Sequence, residues 1–462
     1  MTHRRWTVCL AACAAVGGAL VPASTSQATP RQGEEWVARY DSSGSDTAYA
    51  VAASPDGTTV FVSGYTDTGP GYEDFATIAY DAATGDQLWI ERYNGAAGGL
   101  DEAFFIGVSP DGRRVFVSGL SEGLSTGIDY ATVAYDAGTG TQLWVARYDG
   151  PGHDSDDVDA LAVSPDGAEV FVTGQSTGAA GDFDYATTAL DAVSGSELWV
   201  RRFDGSAHVS DSAYGLAVSP DARAVFVTGN AVMGDSGECV TLAYDAGSGV
   251  PLWRNINRGQ GASGGAGYAA AVSPDGSTLF VTGETGGVSS YADYLTLSIG
   301  AVSGRTNWAR YYNGPGNDFD KSYYLALSPD GSRLYVTGFS EGALTNSDYF
   351  TIAYAASSGL PVWARRFTGA GAHVDNPSGI ALSEDGRYVY VTGVSGRGYL
   401  ATDYATVAYV ASTGAALGVR RFPGIGKVAD LAEGIAVNAT TVFVTGRTAS
   451  SSYDMTTLAY RI

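Results

Sequence analysis

Residues 163–174 read VSPDGAEVFVTG. Proline fixes φ and glycine accepts a positive φ, so the Ser-Pro-Asp-Gly segment predicts a tight turn. The apolar, β-branched residues on either side favour strands over helices. The stretch therefore predicts two short strands joined by a turn.

The same stretch recurs along the chain at intervals of 54 or 55 residues. Its turn aspartate lies at Asp56, Asp111, Asp166, Asp221, Asp275, Asp330 and Asp385, with Thr440 in the eighth place. A tryptophan recurs with the same period at Trp36, Trp89, Trp144, Trp199, Trp253, Trp308 and Trp363, with Gly418 in the eighth place. Self-similarity of this kind indicates a repeat architecture of eight units.

Each unit predicts four short strands, which we name A to D. In the second unit they cover residues 103–109, 115–118, 129–135 and 143–148. No segment shows helical periodicity. Four antiparallel strands repeated radially are typical of a propeller blade. The prediction is an all-β fold: an eight-bladed β-propeller of four-stranded antiparallel blades.

The two ends of the repeat array predict how the ring closes. The array begins on a strand D, residues 35–40, and ends on a strand C, residues 454–460. Pairing the N-terminal strand with the last blade would complete that blade and remove two exposed sheet edges. We therefore expect one propeller domain over residues 29–462.

Residues 1–28 predict a signal peptide. A basic start at residues 3–5 precedes an apolar stretch at residues 6–21, and Ser26-Gln27-Ala28 offers a small-x-small cleavage site. The prediction is a secreted, extracellular protein. A lipid anchor at Cys13 or twin-arginine export remain alternatives. No later segment is long enough to predict a transmembrane span.

The exported chain would be strongly acidic. Loss of residues 1–28 removes two arginines and no acidic residue, which leaves 24 basic and 49 acidic residues and a formal net charge of −25. Such a chain repels nucleic acid and attracts cations or basic partners. Cys239 would be its one cysteine, which excludes an intramolecular disulfide, and its context predicts a buried apolar residue. We expect a monomer.

Two motifs carry a family resemblance. Residues 136–144, DAGTGTQLW, resemble the PQQ-like propeller repeat, whose Asp-x-x-Thr-Gly-x-x-x-Trp element docks blades together. Residues 163–174 resemble the YVTN-type repeats of secreted bacterial β-propellers. The resemblance covers nearly all of residues 35–461 and implies that the tryptophans pack blade against blade.

The resemblance also implies a possible cofactor. Quinoprotein dehydrogenases of similar fold hold the quinone PQQ with Ca²⁺ over the channel, and several use a disulfide between neighbouring cysteines. A chain with one mature cysteine cannot form that disulfide, and no basic residue is evidently placed for the quinone. No cofactor is certain: calcium is a candidate, and we do not expect PQQ.

Acidic residues recur at two positions of the repeat. An inner ring at the entry to strand A holds Asp46, Asp101, Asp156, Asp211, Asp320, Asp375 and Asp430, with Gly265 as the exception. An outer ring at the start of strand C holds Asp74, Asp129, Asp184, Glu238, Asp293, Asp348, Asp403 and Asp454. An arginine follows three residues after the tryptophan position at Arg39, Arg92, Arg147, Arg202, Arg366 and Arg421. Hairpin pairing of strands C and D predicts ion pairs for six outer acids, and hence a structural role.

The inner ring has no repeated basic partner. Either each aspartate accepts backbone N–H groups from its neighbouring loops, or the ring binds a cation such as Ca²⁺. The densest acidic run lies between residues 154 and 159. The candidate metal ligands are Asp46, Asp101, Asp154, Asp156, Asp157, Asp211, Asp320, Asp375 and Asp430.

Two histidines are candidate ligand-binding residues. His153 and His208 occupy equivalent D–A loop positions of adjacent blades. No nucleophile in a triad-like context accompanies them, so we assign no catalytic residue. The sequence favours a non-catalytic binding or interaction propeller whose ligand is a cation, a cell-surface glycan or a basic protein. The alternatives are a quinoprotein-like dehydrogenase, and a small-molecule lyase or hydrolase at the channel mouth with either histidine as base.

Overall fold

The computed structural model describes residues 24–28, 33–67, 69, 73–234, 236–261, 264–288, 290–343, 345–370, 373–398, 401–424, 429–449 and 452–461. Most of the predicted signal peptide, residues 1–23, lies outside these ranges. None of the described segments forms a helix with the length and apolar character to cross a membrane.

The predicted eight four-stranded antiparallel blades are confirmed. Strand A of blades 1 to 8 spans Asp46–Ala53, Asp101–Val108, Asp156–Val163, Ser212–Val218, Gly265–Val272, Asp320–Leu327, Asp375–Leu382 and Leu431–Val437. Strand B spans Thr59–Asp67, Arg114–Glu122, Glu169–Thr177, Ala224–Val232, Thr278–Thr285, Arg333–Glu341, Tyr388–Gly398 and Thr441–Ala449. Strand C spans Glu73–Asp81, Ile128–Asp136, Phe183–Asp191, Gly237–Asp245, Asp293–Gly300, Ser347–Ala355, Ala401–Val410 and Tyr453–Arg461. Strand D spans Gln87–Tyr93, Gln142–Tyr148, Glu197–Phe203, Pro251–Asn257, Thr306–Tyr312, Pro361–Phe367, Ala416–Phe422 and, for blade 8, Glu34–Asp41.

Blade 8 closes the ring as predicted. Its strand D, Glu34–Asp41, pairs antiparallel with the C-terminal strand Tyr453–Arg461. An additional strand, Ser24–Ala28, pairs with the outer edge of Glu34–Asp41. This fifth strand falls within the predicted signal peptide. Cleavage after Ala28 would therefore remove it and leave the four-stranded blade complete.

The A strands surround the central axis. In every sheet strand A lies at an edge, and each contacts the A strands of both neighbouring blades, including blade 8 with blade 1. The D strands form the outer wall. Each strand A begins at the face that carries the D–A and B–C loops, which we call the loop-rich face.

A β-bulge interrupts every strand A at the same place. In blade 3 the register shifts between Val158 and Ala160, so Asp159 has no partner on strand B. The equivalent residues are Tyr49, Phe104, Tyr214, Tyr268, Tyr323, Ser378 and Glu433. Because a bulge re-aims the extra residue, one side chain per blade is directed away from the regular ladder.

A glycine on strand B, which ends a Val-Thr-Gly or Val-Ser-Gly sequence in each blade, accommodates this bulge. A Cβ atom on Gly174 would lie 1.9 Å from the carbonyl oxygen of Asp157 on strand A. The equivalent glycines make the same approach, at 1.8–2.2 Å: Gly64, Gly119, Gly229, Gly283, Gly338, Gly393 and Gly446. The glycine is therefore needed for close backbone approach between strands A and B.

The repeated tryptophans dock each blade onto the next, as predicted. Trp199 donates its Nε1–H to the Ala246 carbonyl oxygen, 2.6 Å away in the next blade, and its ring covers Gly249. The other six donate to Ala82, Ala137, Ala192, Ala301, Ala356 and Ala411. Gly418 of blade 7 faces blade 8, where chain termini replace the C–D turn. The missing tryptophan thus coincides with the missing docking site.

Candidate functional site

The inner-ring aspartates hold the D–A loops. Asp156 is fully buried, and its carboxylate accepts the backbone N–H groups of Gly150 at 2.6 Å and Thr177 at 3.1 Å. The backbone donors to the other inner acids are Ser42, Gly95, Gly205, Val232, Gly314, Gly369, Gly424 and Ala449. Of the two interpretations of this ring, the described contacts show the backbone-acceptor one. Cation binding by this ring stays a prediction.

Burial changes the protonation chemistry of these acids. Desolvation raises the pKa of Asp211 and of Asp430 to about 6, against a lowering effect of their backbone donors. The negative charges of Asp204 and Asp184 near Asp211, and of Asp403 near Asp430, act on the pKa in the same direction as burial. The pKa values of the remaining inner-ring acids are also raised, mainly by burial.

Sequence reasoning missed that the two rings meet at the blade junctions. Six of the seven inner acids interact electrostatically with the outer acid of the preceding blade. The pairs are Asp74 with Asp101, Asp129 with Asp156, Asp184 with Asp211, Asp293 with Asp320, Asp348 with Asp375, and Asp403 with Asp430. A constant spacing of 27 residues separates the two acids. This constant spacing was the sign in the sequence that the two rings are related, although spacing alone does not show contact.

The predicted arginine–acid ion pairs are confirmed in blades 2, 3 and 6. Arg147 on strand D contacts Asp129 on strand C at 2.7 Å. It also donates to the Ser121 carbonyl oxygen on strand B at 2.9 Å and to the Tyr93 hydroxyl of the preceding blade at 3.1 Å. Equivalent pairs join Arg202 to Asp184 and Arg366 to Asp348. One arginine thus spans three strands, and the strand-B serine is a partner that the sequence pattern did not indicate.

Three carboxylates converge at the junction of blades 2 and 3. One oxygen each from Asp129, Asp149 and Asp156 lies within 4.8 Å of the others. Oδ1 of Asp129 and Oδ1 of Asp149 are buried and have no hydrogen-bond partner. A second group, Asp182, Asp184 and Asp204, lies at the junction of blades 3 and 4. Of the predicted metal ligands, Asp156 alone belongs to either group.

The rest of the dense acidic run is not gathered around one point. Asp157 accepts hydrogen bonds from Ser155 Oγ at 3.1 Å and Gln175 Nε2 at 2.6 Å. Asp154 is exposed and brings its backbone against Gly127 of the neighbouring loop. The other predicted ligands lie at the entry to strand A of separate blades, either on its first residue or one residue before it: Asp46, Asp101, Asp211, Asp320, Asp375 and Asp430.

The two histidines stabilise their own loops. His153 and His208 have positive φ angles of 49° and 51°, and their Nδ1 atoms hydrogen-bond Asp149 at 2.6 Å and Asp204 at 2.5 Å. Asn317 occupies the same place in blade 6 with a φ of 54°. The hydrogen bond to Asp204 raises the pKa of the exposed His208. Their predicted role in ligand binding stays a prediction.

Bulged residues of neighbouring blades contact one another at three places in the ring. We call the eight residues of the bulge position the collar: Tyr49, Phe104, Asp159, Tyr214, Tyr268, Tyr323, Ser378 and Glu433. Ring centroids lie 4.8 Å apart between Tyr49 and Phe104, and 4.8 Å apart between Tyr268 and Tyr323. Tyr214 and Tyr268 are 5.4 Å apart. The collar therefore has two aromatic segments separated by polar residues.

Blades 5 and 6 differ from the repeat next to one of these segments. Blade 5 has Gly265 in place of the inner aspartate. Tyr268 donates its hydroxyl proton to Glu284 at 2.7 Å, and Glu284 forms an ion pair with Lys321 at 2.6 Å. Lys321 also lies 5.8 Å from the ring centre of Phe319.

An exposed aromatic pair continues this site onto the loop-rich face. Phe319 stacks on Tyr291 with centroids 5.1 Å apart and an interplanar angle of 16°. Their exposed fractions are 40% and 69%. The two residues come from loops of different blades, so the repeat pattern gave no sign of the stack.

A sequence model of the family described as outer membrane protein assembly factor BamB, a PQQ-like repeat family, matches residues 73–243. The matched residues include all of blades 2 and 3, and over this part the chain is similar to the PQQ-like repeat. No curated protein matches the chain significantly.

The chain is similar in structure to several solved propellers. Chaetomium thermophilum Sqt1 bound to the N-terminus of the ribosomal protein L10 has a TM-score of 0.59 at 13% identity, covering 90% of this chain and 97% of Sqt1. The Dos1 propeller has a TM-score of 0.57 at 9% identity, covering 90% of this chain and 93% of that one. BamB from Moraxella catarrhalis has a TM-score of 0.49 at 16% identity, covering 95% of this chain and all of BamB. At these identities the likeness concerns the fold.

In this propeller, residues present in nearly every blade fasten the loops and join the blades. Residues that differ between blades include those of the collar and those on the loop-rich face of blades 5 and 6.

Proposed function

We propose that this protein is an extracellular, non-catalytic binding propeller whose ligand docks on the loop-rich face at the channel mouth. One observation carries the proposal: the departures from the repeat at Gly265, Glu284 and Lys321 adjoin the exposed stack of Tyr291 and Phe319. Exposed aromatic side chains beside charged groups are typical of binding surfaces. We propose neither a catalytic residue nor a quinone cofactor.

The charge of the chain supports a basic partner. A net charge of −25 after removal of the predicted signal peptide would accelerate association with cations and basic proteins and oppose nucleic acid. Sqt1, of similar fold, is solved with a protein segment, the N-terminus of L10. Among a cation, a glycan and a protein, we favour a basic protein segment as the principal ligand.

Masking each face in turn tests the binding surface. Val288 in the B–C loop of blade 5 is 77% exposed, and Val302 in the C–D turn of the same blade is 91% exposed. Each is changed to cysteine in a chain whose Cys9 and Cys13 are serine, and is then coupled to a bulky maleimide polymer. Cys239 stays unlabelled because it is buried and its thiol pKa is raised to about 12.

Binding to envelope and secreted material of the producing cell is then compared. We expect the Val288→Cys conjugate to lose binding at least tenfold and the Val302→Cys conjugate to bind as the unmodified chain does. Equal binding by both conjugates, or loss at Val302 alone, would contradict the proposed face. Intact mass of exported protein tests location, since cleavage after Ala28 predicts a chain that starts at Thr29.

A second candidate function is calcium binding at the junction of blades 2 and 3. Three carboxylates meet there, and two of their oxygens are buried without any donor. Such oxygens are costly unless a proton, water or cation satisfies them. Ca²⁺ takes hard oxygen ligands in flexible geometries, so this donor set fits it better than a softer metal.

The chain itself offers a conservative variant for this site. Asn94 occupies in blade 1 the place of Asp149, so Asp149→Asn changes charge with a residue that the loop already tolerates. We expect calcium titration to raise the melting temperature of the unmodified chain but not of Asp149→Asn. As control, Asp166→Asn removes one charge from a distant turn and should keep the response. An equal response in all three proteins would eliminate this site.

A further inference from the structure

We propose that the collar binds a cationic side chain, arginine or lysine, of a basic protein segment that enters the channel from the loop-rich face. The inference rests on the proposed function, because it names the chemistry of that same site. It adds a binding site inside the ring, formed by the bulged residue of each strand A.

The geometry of the bulges places one variable side chain per blade at the same height. Blades four positions apart lie on opposite sides of an eight-membered ring. The Tyr49–Phe104 pair of blades 1 and 2 therefore faces the Tyr268–Tyr323 pair of blades 5 and 6 across the axis. The ring thus has an aromatic wall on each of two opposite sides, and we call this pair of walls the cage.

Carboxylates occupy the openings between the aromatic walls. In the ring, Asp159 of blade 3 follows the Tyr49–Phe104 wall and Glu433 of blade 8 precedes it. Their charges act on collar tyrosines: Asp159 contributes to the raised pKa of Tyr214, and Glu433 to that of Tyr49. The cage thus combines aromatic faces with negative charge.

The charge balance at this height favours a cation. We consider three sets of positions together: the collar, the strand-A residues two positions before it, and the strand-B residues that pair with those. Five carboxylates lie in these sets: Glu102, Asp157, Asp159, Glu284 and Glu433. The same sets contain two cations, Lys321 and Arg447. Lys321 is already paired with Glu284. A positive ligand would reduce the surplus of negative charge, whereas an anionic glycan would increase it.

The tyrosines remain neutral under physiological conditions. Burial raises the pKa of Tyr214 to about 12, and burial also raises those of Tyr49, Tyr268 and Tyr323. Neutral aromatic rings attract ammonium and guanidinium groups through their negative faces. Arginine and lysine carry their charged group at the end of a long apolar stem, which suits a site lined by aromatic rings and carboxylates.

The probe is a fluorescent peptide of four Gly-Arg repeats with blocked ends, measured by anisotropy against the full chain. A Gly-Glu peptide of equal length is its counterpart. Asp159→Ser introduces the residue that blade 7 has at the collar, Ser378, so the repeat tolerates it. We expect saturable binding of the Gly-Arg peptide, none of the Gly-Glu peptide, and at least a fivefold loss in Asp159→Ser.

Two matched variants separate the cage from general acidity. Asp166→Ser makes the same charge change at the opposite face and should bind within twofold of the unmodified chain. Tyr268→Phe keeps the ring, as blade 2 does with Phe104, and should also bind within twofold, whereas Tyr268→Ser should lose at least fivefold. Thermal unfolding of each variant verifies its fold, and Asp159→Asn replaces Asp159→Ser if the latter does not fold.

Two results would overturn the inference: no saturable binding of the Gly-Arg peptide, or an equal loss in Asp166→Ser and Asp159→Ser. If the Val288 conjugate still blocks envelope binding in that case, the proposed face stands and only the cationic chemistry fails. If neither conjugate blocks binding, the proposed function itself fails.

Discussion

At the scale of single residues, a glycine occupies the same position of strand B in all eight blades, and strand propensity does not explain it. Glycine weakens a strand, yet each strand B keeps one opposite the bulge. The approach of 1.9 Å between a Cβ at position 174 and the Asp157 carbonyl leaves no room for any side chain. The bulge, and with it the collar, depends on this residue.

Gly174→Ala should therefore destabilise the protein by about 3 kcal/mol, the upper range for overpacking a well-packed site. Urea unfolding measures the change. Gly138→Ala is the control, because its Cβ would meet only Asp136, at 3.6 Å, and blade 1 already has Ala83 there. A cost for Gly174→Ala no larger than that of the control would show that the bulge is not rigid.

A second prediction at this scale concerns pH. Asp211 and Asp430 have pKa values of about 6 in the folded state, above the usual carboxyl value near 4. Between these values the folded state holds more protons than the unfolded state, so their contribution to stability grows as pH falls from 6 to 4. Above pH 6 the contribution no longer changes.

Urea midpoints measured from pH 7 to pH 4 check this sign. In Asp211→Asn the gain in stability on acidification from pH 6 to pH 4 should be smaller than in the unmodified chain. Asp275→Asn is the control, since hydrogen bonds lower the Asp275 pKa to about 2 and its effect falls below this window. A larger acid gain in Asp211→Asn would contradict the direction.

At the scale of the elements, strand D and the C–D turn act as partners across every blade junction but one. Trp199 is 5% exposed and loses both its hydrogen bond and its contact with Gly249 on truncation. Trp199→Ala should lower the free energy of unfolding by about 3–5 kcal/mol.

Gly418→Trp should change the free energy of unfolding by less than about 1 kcal/mol, because no C–D turn lies opposite this position to receive the ring. Thermal and urea unfolding measure both, and a large gain from Gly418→Trp would show an unrecognised docking surface.

The elements also show how far sequence reasoning reaches. Strand number, turn chemistry, ring closure, tryptophan docking and the pairs of Arg147, Arg202 and Arg366 follow from period and register within one repeat. The junction of Asp129, Asp149 and Asp156 does not, because its members meet across two blades. The collar was missed because a bulge shifts side-chain direction without changing the residue pattern.

At the scale of the whole molecule, stability and function occupy different parts of the same repeat. Residues that are nearly constant from blade to blade fasten loops, join strands and dock blades. The variable bulge residues and the irregular blades 5 and 6 adjoin the channel mouth. A ring of eight similar units can in this way present eight independently variable side chains around one axis.

Photo-crosslinking tests the central claim, that the channel mouth takes a cationic segment. A Gly-Arg peptide carrying a benzophenone is irradiated with the full chain, and the products are mapped by mass spectrometry. The account predicts crosslinks to Tyr268, Tyr323 and the Phe319 region, and their loss in Asp159→Ser. Crosslinks confined to the outer D strands or to the C–D turns would contradict it.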